Sequence, residues 1–401
     1  LRNTGLALTA VAVCCALGLP SPAAAQVKEK IVYAFAGPSA GLSPQASLIA
    51  VNGTLYGTTY AGGSNGIGTV FSLDPRTGVE TVLVNFGRDL DGAEPKSGLV
   101  AVKGILYCTT TAGGTNSEGT AFSLDPTTGV AKLLHAFGFA PDDAEGAQPL
   151  AGLIAVKGAL YGTTYFGGGC NSTGCGTVFS LDPATGAETI PFAFCRLQNC
   201  TAGAYPSAGL IDIHGLLYGT ASQGGAYGYG TLFSLDPKTG AVAALHAFGG
   251  GTDGEVPSAS VIAVNGILYG TTPYGGGTSQ TCKGYGFGAG CGIVFALDPE
   301  SGVETVLHAF DGADGEYSYA GLVAVNGTLY GTTSHGGAYG EGTVFSVDEA
   351  SGAFATVHSF GNGTDGANPY AALIDVKGTL YGTTANGGAH GYGTVYSLKN
   401  F

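Results

Sequence analysis

Positive charge is scarce in this chain: Lys and Arg number 14 against 28 Asp and Glu, and they nowhere cluster. A formal charge of −14 with no basic stretch argues against a nucleic-acid partner, because phosphate binding needs a basic footprint. Anionic membrane surfaces are disfavoured on the same ground. Charged residues of either sign make up only 10% of the chain while hydrophobic residues reach 44%, which excludes a charge-rich disordered protein and fits strands buried on both faces. No Ser-His-Asp signature, P-loop or dinucleotide fingerprint stands in a convincing context. Nor is there a Cys-x-x-Cys or a His at zinc-ligand spacing, so the sequence calls for no catalytic residue, cofactor or metal.

Residues 1–25 read as a secretory signal peptide, with Arg2 as the positive region, residues 6–19 as the apolar core and Ala23-Ala24-Ala25 as the cleavage site. Beyond it no apolar run approaches the ~20 residues that span a bilayer, and export of a monomer without a membrane span, to the periplasm or the bacterial exterior, is expected. Six of the later cysteines form close pairs, Cys170 with Cys175, Cys195 with Cys200, and Cys282 with Cys291, which implies disulfides and an oxidising compartment. Cys108 is left over. It replaces a strand glycine and reads as a small buried residue, not a nucleophile.

What is abundant is repetition. Leu-Tyr-Gly-Thr-Thr recurs at residues 55–59, 106–110, 160–164, 217–221, 268–272, 329–333 and 380–384, deviating only at Cys108 and Ala221. A period near fifty residues with strand-type composition marks a propeller or solenoid array. Each unit divides into four strands, a to d. Asn-Gly, as at Asn52-Gly53, or an equivalent Lys-Gly or His-Gly pair, makes the a-to-b hairpin, and Asp-Pro-x-Thr/Ser-Gly, as at residues 74–78, makes the c-to-d turn.

Spacing assigns the faces. The a-to-b span is constant in all seven units, and so is the c-to-d span wherever it can be counted. The b-to-c loop, however, grows from eight residues to eleven in the third unit and nineteen in the fifth, and the d-to-a connection varies too. In an up-and-down sheet these two variable connections emerge together, which marks one face as the binding side. Residues 31–35 match strand d with nothing before them, whereas the seventh unit ends after strand c. A leading strand that completes the last sheet would close the ring and remove its open edge. The expected fold is therefore all-β: a seven-bladed propeller of four-stranded antiparallel blades over residues 26–401, with Tyr56 and its equivalents between adjacent sheets and Gly57 admitting a close neighbour.

The unit at residues 55–73, LYGTTYAGGSNGIGTVFSL, resembles that of the GloVer tandem-repeat family of exported bacterial proteins, and the likeness runs through essentially the whole mature chain. The resemblance implies export and a repeat propeller. It brings no established activity or catalytic residue.

Candidate chemistry is sparse. Acidic turns recur in the d-to-a connection at Asp91, Glu145, Asp253, Asp314 and Asp365, and could ring the variable face with carboxylates for a cation, a basic group or a sugar, although Asp-Gly is also ordinary turn chemistry. Asp212 and Asp375 interrupt an alanine position of strand a. They would suit a glycosidase pair only if both faced the channel, and their place beside the a-to-b turn favours a solvated role. His135, His246, His308 and His358 share one strand d position and read as outer-strand packing or surface. His335 and His390, with Tyr339 and Tyr392 nearby, lie in glycine-bordered loops that could bind carbohydrate, although tyrosine-glycine alternation is also ordinary loop filler, and Tyr165 and Tyr274 are further binding candidates on the variable face. The expectation is a non-enzymatic binder of a protein or glycan through the loops of units three to five, with a carbohydrate-active hydrolase or lyase, or an envelope structural protein, as the alternatives.

Overall fold

Each a-to-b turn folds as its residues dictate. Asn52, Lys103, Lys157, His214, Asn265, Asn326 and Lys377 all take φ between 51° and 55°, and the glycine after each is also left-handed, the pattern of a type I′ hairpin. At the c-to-d turns Asp74, Asp125, Asp182, Asp236, Asp298 and Asp348 each accept a backbone N–H from two or three residues ahead, as with the 2.9 Å bond from Arg76 to Asp74. Two local turns thus make two hairpins, a with b and c with d, before any long-range contact is made.

The protein is a computed structural model that describes residues 27–87, 92–138, 145–170, 173–195, 200–277, 282 and 290–401. Its strands form seven four-stranded antiparallel sheets. Blade one runs Ile49–Val51 (a), Thr54–Thr59 (b), Thr69–Asp74 (c) and Val79–Asn85 (d). Blades two to six repeat it. Blade seven takes a, b and c from Ile374–Asp375, Leu380–Thr384 and Thr394–Lys399, and its d strand is Lys28–Ala34 from the other end of the chain. Ile31 stands opposite Tyr396 and Lys28 opposite Lys399, so the ring closes as the complementary ends foretold. A short 3-10 turn stands at Pro38–Ala40.

The core consists of seven apolar clusters, one at each junction between blades. In each, the strand b tyrosine of one blade meets the strand a aliphatic and the strand c aromatic of the next: Tyr107 packs with Leu153 and Phe179, and Tyr381 with Leu48 and Phe71 across the closure. Burying a side chain of that size contributes about 1.5–3 kcal/mol, and the sum runs unbroken round the ring. The strand b glycine admits the aromatic ring of its own sheet, since a Cβ at Gly57 would stand 2.6 Å from the Phe71 ring.

Blade two departs from this twice, in a matched way. Cys108 replaces the glycine and Ser97 replaces the alanine found at position 46, 151, 208, 259, 320 and 371 of the other blades. Their side chains touch, Cys108 Sγ to Ser97 Oγ at 3.2 Å. Complete burial pushes the Cys108 thiol up to about 12, as befits an inert core residue.

Candidate functional site: the loop-face mouth of the axial channel

The Thr-Thr pair of strand b ties each blade to its surroundings, a role beyond strand propensity. The first threonine donates across the junction to a carbonyl of the next blade: Thr58 to Ser97, Thr109 to Ala151, Thr163 to Ala208, Thr220 to Ala259, Thr271 to Ala320, Thr332 to Ala371 and, closing the ring, Thr383 to Ala46 at 3.3 Å. The second threonine bonds strand c of its own blade, as Thr59 does to Thr69 at 2.8 Å.

Just beyond this latch, at equivalent positions in all seven blades, stands a non-glycine residue in the left-handed region: Ser43, Glu94, Gln148, Tyr205, Val256, Tyr317 and Asn368, with φ between 54° and 60°. Each gives its N–H to a carbonyl in the loop of the preceding blade, at 2.8–3.1 Å. In six blades its own carbonyl accepts an N–H from the residue after the Thr-Thr pair. Blade five has Pro273 there, which has no N–H, and the Ser258 hydroxyl takes the Val256 carbonyl instead, at 2.9 Å. The proline that usually follows lies over the strand c glycine of the blade before, as Pro95 does over Gly68. This clamp holds an otherwise strained conformation in place.

The clamp positions the mouth of the central channel. A cavity of about 300 Å³ runs along the axis, walled by the residues entering strand a from every blade, chiefly Ala, Ser and Gly, and no Asp or Glu is among its lining residues. At the rim, tyrosines form an arc over blades five to seven. The Tyr274 and Tyr319 hydroxyls are 2.9 Å apart, the Tyr319 and Tyr370 rings lie 5.9 Å apart, and Tyr317 meets both Tyr274 and His335 edge-on. Burial and neighbouring phenols push Tyr319 up, and burial likewise raises Tyr370, so both keep their hydroxyl protons at neutral pH. Opposite, Tyr60 donates to Glu94 at 2.9 Å and carries the Lys96 ammonium over its ring at 5.3 Å.

The expected site residues divide between this mouth and the outer strands. Tyr274 is buried in the arc, and Tyr165 stacks at a tilt on Tyr205 in blades three and four. His335 is half-buried, its Nδ1 3.0 Å from the Ser334 hydroxyl. His390 is exposed at the tip of the blade-seven loop. Asp253, Asp314 and Asp365 stand beside the outer strands, where each meets the strand d histidine before it, His246 at 3.3 Å, His308 at 2.7 Å and His358 at 3.1 Å. Asp253 and Asp365 also accept the N–H of the glycine that follows, each at 2.6 Å. Asp91 lies outside the described residues. Asp212 and Asp375 are exposed and bond turn glycines Gly215 and Gly378, both at 2.9 Å, at the end of strand a away from the mouth.

The three disulfides pair as the spacing implied and all lie on the loop face. Tyr319, Tyr370, the left-handed clamp and the histidine partners were not singled out from sequence. The tyrosines occupy positions held by Gln45, Lys96, Leu150, Ser207 and Ser258 in the other blades, so only superposing the repeats on a closed ring brings them together.

The chain belongs to the Gloeobacter/Verrucomicrobia repeat family, whose sequence profile matches residues 21–172, 139–283 and 281–401. No curated protein matches it. Among solved structures it is similar to the extracellular domain of a protein assigned as a one-component system of B. thetaiotaomicron, at 9% identity and a TM-score of 0.60 over 92% of this chain and 40% of that one. It is also similar to an oligogalacturonate lyase in complex with manganese, at 12% identity and TM-score 0.52 over 86% of each chain. A third structure, a protein from Bacteroides uniformis assigned as a 6-phosphogluconolactonase, shows 16% identity and TM-score 0.50 over 82% of this chain and 88% of that one. At such identities the likeness is one of fold.

Proposed function

We propose that this protein is an exported binding module whose loop-face mouth holds a neutral glycan. The observation that carries the reading is the tyrosine arc of Tyr274, Tyr319 and Tyr370 at the channel rim. Aromatic faces accept the apolar C–H face of a pyranose while un-ionised phenols and neighbouring serines bond its hydroxyls. The formal charge of −14 disfavours polyanions, which leaves neutral sugars as the better class. Three disulfides on the same face stiffen the loops that would do the binding and suit an oxidising exterior. Two of the similar folds are named for sugar-derived substrates, but the channel wall here offers Ala, Ser and Gly, and a hydrolase would need two converging carboxyl groups. This favours binding over bond cleavage.

The test is calorimetric titration with a panel of soluble neutral and acidic polysaccharides, on the wild type and on a Tyr319→Ala, Tyr370→Ala double variant. A neutral glycan should bind and lose at least tenfold in affinity in the variant. Binding that survives the double substitution, or no binding across the panel, would overturn the reading.

A further inference from the structure

The histidines of strand d follow a rule across the junctions. Where the next blade's outer strand begins with Glu, the residue facing it is His or Tyr: Tyr33 with Glu80, His135 with Glu188, His246 with Glu304. Where that strand offers Ala131 or Val242, the equivalent position is Val84 or Phe192. At three alternate junctions an acidic turn supplies a third group: Glu145 beside the Glu188 that faces His135, Asp253 beside His246 and Glu304, and Asp365 beside His358 and Glu29.

The junction of blades four and five is the most complete. His246 Nε2 lies 3.3 Å from Asp253 Oδ2 and 3.6 Å from Glu304 Oε2, and one ligand atom from each of the three residues falls within 4.8 Å of the others. One imidazole N–H can satisfy only one of two carboxylates. The Glu304 side chain is nine-tenths buried and its Oε1 has no hydrogen-bond partner. Asp253 accepts the Gly249 N–H at Oδ2 and the Gly254 N–H at Oδ1, each at 2.6 Å, so the carboxylate is fixed in place. Bonds of about 2.0–2.2 Å to Zn²⁺ at a tetrahedral angle set ligand atoms about 3.3–3.6 Å apart, which is the spacing of His246 from each acid, and the two acids lie within 4.8 Å of each other.

We propose that His246, Asp253 and Glu304 form a divalent-cation site, of the Zn²⁺ class, that bridges the outer strands of blades four and five and leaves a fourth position for water. A dication neutralises both acids, which a single imidazolium cannot do. The junction of blades six and seven carries the same residue types, and that of blades two and three a histidine with two glutamates. The neighbouring junction is a built-in control: there Phe354 replaces the glutamate and stacks on His308 at 3.6 Å, leaving a His308–Asp314 pair outside any three-ligand group among the described residues. Glu80 is a second control, since it meets a tyrosine hydroxyl and its own Oε1 is likewise unpartnered.

The experiment uses the oxidised mature chain, stripped with chelator and titrated with Zn²⁺ alone by calorimetry and with Co²⁺ alone by visible absorption. The wild type should bind with micromolar affinity, Glu304→Gln should lose one equivalent or weaken it at least tenfold, and His308→Phe should leave the stoichiometry unchanged. A chelator-treated melting curve matching the wild type shows that Glu304→Gln folds, and Asp253→Asn gives the same readout should it not. No binding below millimolar ion, or an unchanged stoichiometry and affinity in both variants, would overturn the site.

Discussion

The two faces of the ring solve one problem in opposite ways. Both place a non-glycine residue in the left-handed region in every blade. On the turn face the residue is Asn, Lys or His before Gly, and the hairpin itself makes the conformation favourable. On the loop face it is Ser, Glu, Gln, Tyr, Val, Tyr or Asn, and its N–H and carbonyl are held by loops of two blades. The first is chemistry within a few residues. The second exists only once the ring is assembled, which leaves the side chain free to vary from blade to blade and explains why candidate recognition groups gather on that face.

The largest expected effect comes from removing the assembly altogether. Deleting residues 27–35 strips blade seven of its outer strand and of Phe35, fully buried at the junction with blade one, and should abolish cooperative thermal unfolding by circular dichroism. A truncated chain that melts as the wild type does would break the comparison at its root. Next in size is reduction of the disulfides. Each closes a small ring worth about 2 kcal/mol on the chain-entropy model, and hydrogen exchange should accelerate in loops 166–176 and 200–205 while the a-to-b turns stay protected.

A reciprocal pair of substitutions sharpens the contrast further. Asn265→Val puts a β-branched residue at φ 52° in the turn face and should lose about 1–2 kcal/mol in urea unfolding, whereas Val256→Asn relieves one at φ 57° in the loop face and should gain a similar amount. Equal and opposite shifts would mean that the two faces impose the same backbone; a loss at both would mean that Val256 is held by packing its side chain.

The smallest effect concerns the closing junction. Burial raises Glu80 above its ordinary range, only partly offset by the Tyr33 hydroxyl. A group whose folded value is raised contributes stability that is complete below the unfolded value and lost as pH climbs through the folded one. The melting temperature of Glu80→Gln should therefore improve relative to the wild type on going from pH 4 to pH 7. A gap that stays constant with pH would place Glu80 in solvent.

Much of the fold was legible because the physics behind it is local or periodic. The Asn52-Gly53 and Asp74-Pro75 turns declare themselves within a few residues, and the constant spacing of Leu48 to Tyr56 carries the blade geometry. Even closure was legible, since an orphan strand at residues 31–35 met a seventh unit lacking one. The candidate site was not. Asp253 reads as one acid in a series of like turns until His246 and Glu304, from two different blades, are seen grouped with it. Tyr319 and Tyr370 stand forty-odd positions or more from Tyr274 along the chain, and only the ring brings all three to one rim.

The repeat alone determined the number of blades, the strand order, the invariant turns, the side from which insertions emerge and the complementarity of the two ends, because each depends on contacts that recur at a constant offset. Which histidine meets which acid, how Val256 tolerates its backbone, and which tyrosines share the mouth were decided only by tertiary structure. Those contacts join non-equivalent positions of neighbouring blades, and a constant offset along the chain carries no record of them.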